Sequence, residues 1–472
     1  MGDNRKLGGQ GESGVLGSSK NDRSERSSGR SQAGRTAARR PSGNRASTGR
    51  PTAARAPRAR ASATRTPTKR STRNRPTGRR SNASSVLAIR SVPRPFLIAV
   101  GIAIAAIAVV LVVALVSGVG GRQQAEDNAS DADAQADASA TQPGKATGPY
   151  SISFASTGDL IFWREVADYI KQNGGASAMA NIAEHLAAAD VAIANVESPL
   201  SDDESEPITD KDVYIIGRPE AIESIKNSDI TLASLANNHI MDYGKPALED
   251  TLQALDGAGV LHAGAGMTEE AASTPAELTV NGASIAFFSW TDIVPDYFLA
   301  DDDEPGVVSA RMNMSDALRR IREAKQTHDI VIVAMHWGVE YEDYITDYLQ
   351  SEPAHQFVEA GADVVLGNHP HAIEGIEFYR GSLIAYAQGN CVFWQKYDHT
   401  HESYLLNFDM TQDGISNVVV TPLYLDDKYG IPDFATGKQA EETLARLEEI
   451  SADMNTAFDI RDGKAFLSPL GS

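Results

Sequence analysis

Between Arg94 and Arg122 this chain carries no charged residue, and Phe96–Val116 is apolar throughout save for one glycine. As a helix that run would span about 31 Å, enough to cross the hydrocarbon core of a bilayer. A buried core helix is the competing reading. The run also divides the chain by charge. Residues 1–94 hold 23 Lys/Arg and 4 Asp/Glu, while the whole chain of 472 residues has a net charge of -20, so the remainder carries -39. The long charged region ahead of the run argues against a cleaved signal peptide. An Arg-rich flank stays on the cytoplasmic side. The expected topology is a single-pass cell-membrane protein with its N-terminus cytoplasmic and everything after Gly121 outside the cytoplasm.

Four segments follow from this division: a basic tail over 1–94, a transmembrane helix over 95–118, an acidic Ala/Ser-rich linker over 119–149, and a folded domain over 150–472. The tail is built from Arg, Ser, Thr, Ala, Gly and Pro, and buries too little surface to offset its ordering entropy, so disorder is expected. Its arginines give loose affinity for anionic lipid. With no aromatic interleaving and no recognisable nucleic-acid fold signature, no specific nucleic-acid partner is expected. Cys391 is the only cysteine. It excludes an intramolecular disulfide, and its strand-like setting predicts a packed small side chain rather than a nucleophile.

Beyond Tyr150, short apolar runs alternate with amphipathic stretches, the pattern of an α/β fold. Strands are expected at Ser151–Ser156, Val191–Ala194, Asp229–Leu235, Ser284–Trp290, Ile330–Met335 and Ala362–Leu366, with helices over Pro246–Gly257 and Ser351–Ala360. The segments Ile376–Tyr379, Leu383–Tyr386, Tyr404–Asp409 and Asn417–Leu425 read as an antiparallel meander. Gly437–Asn455 reads as a polar amphipathic helix packed on the outside.

Gly367-Asn368-His369-Pro370-His371 ends one of these runs abruptly. Two imidazoles one residue apart at a strand end can point into one space, and neutral imidazole is a common metal ligand. Asp159, Asn195, Glu197, Asn238, His239 and His336 also follow apolar runs. If the strands are parallel, their C-terminal ends gather these residues at one sheet edge, where α/β proteins place ligands. Carboxylate, imidazole and amide oxygen suit a divalent Mn, Fe or Zn ion. A bridging carboxylate such as Glu197 would allow two ions that activate water and stabilise both oxygens of a phosphoryl displacement. The competing reading is a scatter of structural histidines. Arg164 either contacts an anionic substrate or caps a helix. Asp398–Glu402 either reaches the site or forms a solvated turn, the latter being favoured. Asp301–Glu304 reads as a solvated loop, and His185, His328 and His355 as structural.

The ordered series Gly158-Asp159, Asn195-Val196-Glu197-Ser198-Pro199-Leu200, Leu235-Ala236-Asn237-Asn238-His239-Ile240-Met241-Asp242-Tyr243-Gly244, His336-Trp337-Gly338-Val339-Glu340-Tyr341 and Gly367–His371, continuing through Gln388-Gly389-Asn390, resembles the bacterial poly-γ-glutamate capsule-synthesis (CapA) family. The resemblance spans roughly residues 150–430. It implies kinship with calcineurin-like metallophosphoesterases and hence an αββα sandwich with a two-metal edge. By the same resemblance Glu197 is the bridging carboxylate. Asn238, His336 and His369 serve one ion, Asp159 and His371 the other, and His239 protonates the leaving group; otherwise His239 only hydrogen-bonds a loop carbonyl or Asp242. Asn195 and Arg164 are candidate substrate contacts. Leu160-Ile161 stands where classical phosphoesterases carry a further Asp-x-His ligand pair, so one or two ions remain open. Ser198 and Cys391 depart from the usual glycine and aromatic residue. The implied protein is a metal-dependent hydrolase or transferase anchored in a bacterial membrane and acting in capsule or cell-envelope polymer synthesis. Its implied partners are polymer-synthase subunits and an anionic polymer. The alternative is a non-catalytic polymer-binding or synthase-partner subunit whose metal site is vestigial or structural.

Overall fold

Apart from a two-stranded pair, Ala265–Gly266 with Gly306–Val307, the strands fall into two sheets that the chain visits in turn. The first sheet opens with β1 (Ser151–Leu160), β2 (Val191–Val196), β3 (Ile230–Ser234) and β4 (Leu261–Ala263), all parallel. The chain then builds the second sheet from β5 (Ala276–Val280), β6 (Ala283–Thr291), β7 (Ile330–His336), β8 (Val364–Asn368), β9 (Ile376–Tyr379) and β10 (Ser382–Ala385). It returns to the first with β11 (Asn390–Val392), β12 (Glu402–Thr411), β13 (Gly414–Leu425), β14 (Pro432–Phe434), β15 (Thr456–Arg461) and β16 (Lys464–Pro469). The first sheet has 10 strands and the second 6. This computed structural model describes residues 144–203, 205–208 and 211–471. The expected basic tail and the Phe96–Val116 helix lie outside them, and among the described residues no helix is long and apolar enough to cross a membrane.

Alternating side chains explain why the strands read as nearly continuous apolar runs. In β7, Ile330, Ile332 and Ala334 enter a core shared with Ile152 and Phe154 of β1 and Val191 and Ile193 of β2, so the two sheets pack face to face. The intervening Val331, Val333 and Met335 enter a different core. There they meet Ile321 of α3 (Met314–Thr327) and Phe357 of α4 (Glu352–Ala360). On the far face of the first sheet, Ala192, Ala194 and Val196 pack with Val166 and Ile170 of α1 (Glu165–Asn173) and Leu248 and Leu255 of α2 (Gly244–Ala258). The layers therefore run helices, sheet, sheet, helices. Local chemistry sets the helix starts: the Asn313 side chain accepts the Asp316 N–H ahead of α3, and Pro353 lies in the first turn of α4.

Three expectations change. The segments read as one meander belong to different sheets: β9 and β10 form a hairpin whose second strand runs parallel to β8, whereas β12 and β13 extend the first sheet beside β1. Local alternation shows that a strand half-buries its side chains but not which sheet it joins. The last helix, α5 (Lys438–Ile450), is not merely external. Its Leu444 and Leu447 are buried in the core between the sheets, and each such leucine contributes about 1.5–3 kcal/mol. Finally, the linker is anchored before Tyr150, because the Ala146 N–H donates to the Asp329 carboxylate at 2.9 Å.

Candidate functional site

Strand register sets the site. In the first sheet Asp159 pairs laterally with Asn195 on one side and Asn390 on the other, and Asn195 with Ser234. In the second, Thr291, His336 and Asn368 stand abreast. Except for Asn390, which opens β11, each set lies at the C-terminal ends of parallel strands. The two edges face one another, so the expected gathering at one sheet edge is instead a meeting of two. Two glycines permit it. A β-carbon at Gly158 would lie 1.9 Å from the Gly389 carbonyl oxygen, and one at Gly367 would lie 1.7 Å from that of Tyr386. Just beyond, His369 (φ 100°) and His371 (φ 56°) adopt left-handed backbone. That conformation costs a non-glycine residue roughly 1–3 kcal/mol and concentrates at functional sites.

Asp159, Glu197, His336, His369 and His371 are all buried. Their ligand atoms form two groups, Glu197–His336–His369 and Asp159–Glu197–His371, each within 4.8 Å of one another. Glu197 belongs to both. Its Oε1 lies 3.4 Å from His336 Nε2 and 4.0 Å from His371 Nε2, and accepts no hydrogen bond. The His369 Nδ1 is likewise buried without a partner. Unsatisfied buried polar atoms are costly, and here they face one space in a carboxylate–imidazole donor set. These residues could hold a divalent metal.

The other candidates take different places. Asn238 Oδ1 lies 2.8 Å from His336 Nε2, at the rim of the first group. Asn195 is buried. Its amide donates to Asp159 Oδ1 at 2.7 Å and to Glu197 Oε2 at 3.4 Å, while its oxygen accepts from Asn237 at 3.3 Å. Both ends are engaged, so it supports the carboxylates. Arg164 is exposed, precedes α1 without a side-chain cap bond, and lies 3.7 Å over the Trp163 ring. His239 Nδ1 lies 2.6 Å from Asp242 Oδ2, leaving Nε2 as the ring's other nitrogen. Leu160 and Ile161 are buried among apolar residues and offer no ligand. Cys391 is buried, and burial pushes its thiol up to about 12.

Some supporting groups left little local signal. Asn390 Oδ1 lies 2.9 Å from His371 Nδ1, and its Nδ2 donates to the Thr400 carbonyl at 3.0 Å. Thr400 and His401 are buried, so the segment expected to be a solvated turn instead backs the site. Lys211 forms a 2.6 Å ion pair with Asp242 and lies 3.2 Å from His239 Nδ1. It comes from a polar loop with no periodicity to mark it. Asp301–Glu304 is exposed, as expected. His328 is buried, His355 stacks on Tyr379, and the His185 ring lies tilted against Phe434.

Burial dominates the electrostatics. It raises the Glu197 carboxyl well above its ordinary range, with the Asp159 charge adding to the shift. Burial also opposes charge on Asp159, but the hydrogen bond and charge of His371 outweigh it and hold that carboxyl low. His336 is pushed down to about 3 by burial, and His369 well below its ordinary value by burial and the neighbouring imidazoles. Both are therefore neutral, with lone pairs to offer. For His371, burial is overcome by Glu197 and Asp159, and the ring is raised to about 9. Burial lowers His239 to about 4 against the opposing pull of Asp242.

The family model for the bacterial capsule synthesis protein PGA_cap matches residues 153–395. The chain belongs to this family. It is 32% identical over 314 residues to the PGA biosynthesis protein CapA of Bacillus subtilis, covering 66% of this chain and 81% of the relative. It is 29% identical over 282 residues to the capsule biosynthesis protein CapA of Bacillus anthracis, covering 58% and 68%. Among solved structures, a candidate 5'-nucleotidase from Staphylococcus aureus overlaps at a TM-score of 0.33 with 13% identity, covering 63% of this chain and 58% of that one. The matched region contains all five residues of the two ligand groups.

Proposed function

We propose that this chain is a membrane-anchored capsule or cell-envelope polymer synthesis protein of the poly-γ-glutamate type, whose outer domain is a metal-dependent hydrolase or transferase. The observation that carries the reading is Glu197, a buried carboxylate shared by two ligand groups with an oxygen no protein donor satisfies. Glu197, His336 and His369, with Asn238 at the rim, would hold one ion; Asp159, Glu197 and His371 would hold a second. Such ions of Mn, Fe or Zn activate water and stabilise charge on attacking and leaving oxygens.

The chain's own residues supply the rest. Asn195 orients both carboxylates, and Asn390 fixes the His371 ring. Asp242 at Nδ1 holds the His239 ring and stabilises its imidazolium, from which Nε2 hands a proton to the leaving oxygen. Lys211 pairs with the same Asp242 and fixes it in place. An anion arriving beside Nε2 favours the protonated ring, offsetting the burial that keeps it neutral beforehand.

A second reading has its own support: Leu160 lies in the apolar core where a further ligand pair would stand. It makes the chain a polymer-binding or synthase-partner subunit with a structural metal. Metal analysis and phosphodiester turnover separate the two. The enzyme reading expects the purified full-length chain to hold stoichiometric Mn, Fe or Zn and to hydrolyse a generic phosphodiester, with both lost in H369A/H371A. Metal without turnover supports the second reading, and absence of metal sinks both. Anchoring is tested on intact cells. Added protease should remove the region after Gly121 and spare the first 90 residues, and protection of the outer domain would reverse the topology.

A further inference from the structure

Beside the ligand groups lies a cleft of about 190 Å³ that the chemistry above does not use. Its lining includes Trp163, Arg164, Tyr341, Phe393, Lys396 and Tyr397. Three chain segments supply them, each continuing from a site residue: Trp163 and Arg164 follow β1 and Asp159, Tyr341 follows β7 and His336, and Phe393–Tyr397 follow β11 and Asn390. Two of its walls pack against the site. The Phe393 ring lies 5.2 Å from that of His371, and the Tyr341 ring 6.0 Å from the same imidazole.

Its walls are aromatic and its cations are held in place. The Arg164 guanidinium lies 3.7 Å over the Trp163 ring, and the Lys396 ammonium 4.7 Å over that of Tyr397. Both side chains are exposed, and neither forms an ion pair among the described residues. A ring-held cation loses little further freedom when it meets an anion. The Tyr341 and Tyr397 rings meet at 5.0 Å, tilted 56° to one another, and the Gln395 amide donates to the Tyr341 hydroxyl at 3.3 Å. One acid, Glu340, meets the same hydroxyl. Arg164 (φ 48°) and Tyr341 (φ 68°) both adopt left-handed backbone, a strain that persists only where the surroundings impose it.

The charge setting selects the ligand. Past residue 94 the chain carries -39, a field that repels polyanions. An anionic chain therefore needs local cations to approach the metal-ligand groups. The aromatic and amide surfaces between those cations suit an amide backbone better than a bare anion. We propose that this cleft binds a carboxylate-bearing polyamide chain and leads it to the metal-ligand groups. Arg164 and Lys396 pair with its carboxylates, while Tyr341, Phe393 and Tyr397 pack on its backbone. The inference rests on the reading of the site as one acting on a poly-γ-glutamate-type polymer, and names where that polymer lies.

The test is fluorescence anisotropy with a labelled γ-linked glutamate oligomer, using the full-length chain in detergent at physiological salt. R164Q/K396Q should weaken binding by about tenfold or more, as expected for losing two charge-assisted contacts. R58Q/R60Q, which removes equal charge from the basic tail, should change it little. Y397A should weaken binding without altering net charge, and a γ-linked glutamine oligomer should bind poorly. Chelation should leave binding intact. The proposal fails if the wild-type chain does not bind the oligomer, if both charge pairs weaken binding equally, or if chelation abolishes it. Metal content and phosphodiester turnover are measured separately, so a chain lacking metal yet binding through Arg164 and Lys396 would sink the enzymatic reading and leave the cleft standing.

Discussion

The two edges that meet at the site bring different chemistry. The first sheet delivers acids and amides: Asp159, Asn195, Glu197 and Asn238, with His239 beside them. The second delivers imidazoles: His336, His369 and His371. Each edge alone is poorly stabilised. Burial, with the charge of Asp159 added, raises Glu197, and two buried imidazoles cannot carry charge, as His336 and His369 show. Facing each other, they form ligand groups that mix both donor types. In the bare chain His371 supplies the positive charge between the two carboxylates, and a metal ion would take over that role on binding. The site thus depends on packing two sheets, not on a motif within either.

Breaking the comparison at its shared residue should have the largest effect. Glu197 serves both ligand groups, whereas His371 serves one. E197Q keeps the side chain's shape but removes its charge, and should lose all bound metal, with complete loss of any turnover. H371A should lose only the ion of the Asp159–Glu197–His371 group and retain one per chain if two are present in the wild type. Elemental analysis of purified protein decides the matter, and E197Q with undiminished metal would show that the two edges are not joined through this carboxylate.

A smaller effect is expected at His239, which comes from the first sheet but is an imidazole. Its ring is tied to Asp242 and not to the ligand groups. H239A should therefore keep its metal and lose about 10²–10⁴-fold in phosphodiester turnover, the usual worth of a positioned acid. Full activity would remove the acid role, and loss of metal would place His239 with the other imidazoles as a ligand or its support.

Much of this was legible in the chain. Asp159, Glu197, His336, His369 and His371 each follow an apolar run, and in a parallel strand buried on both faces the residue after the run emerges at the edge. What the pattern could not reveal was the pairing of edges. The contact of the His369 N–H with Asp159 Oδ2 spans 210 residues, and strand periodicity carries no information over such separations. The same gap hid the role of α5, whose polar face dominates its composition while two leucines fill the core between the sheets. Asp242 was signalled by its place three residues after His239. Lys211 was not signalled, because a lysine in a polar loop looks like solvated surface until the fold brings it to a buried aspartate.

The loop between β8 and β9 also contains a carboxyl that belongs to neither ligand group, and it gives the smallest and sharpest test. Glu374 follows the His369–His371 loop and is fully buried. Its Oε2 accepts from Gln350 at 2.5 Å, and its Oε1 has no partner. Gln350 is buried in a π-helical turn, Asp347–Ser351, ahead of α4. Burial raises the Glu374 carboxyl well above its ordinary value of 4.5, with Asp343 adding to the shift and Gln350 opposing it. The folded chain thus holds a proton that the unfolded chain releases above about pH 4.5. Where the native state binds more protons, stability falls as pH rises, by up to about 1.4 kcal/mol per pH unit, until the folded group itself ionises. Denaturant unfolding of the wild type between pH 6 and pH 8 should show this decline. E374Q retains an acceptor for Gln350 but no titrating proton, and should flatten the slope while leaving metal content unchanged. An equal slope in both proteins would mean that Glu374 is already charged in the folded state. The imidazole edge would then rest on a buried anion, and the division between an acidic and a basic sheet would no longer hold.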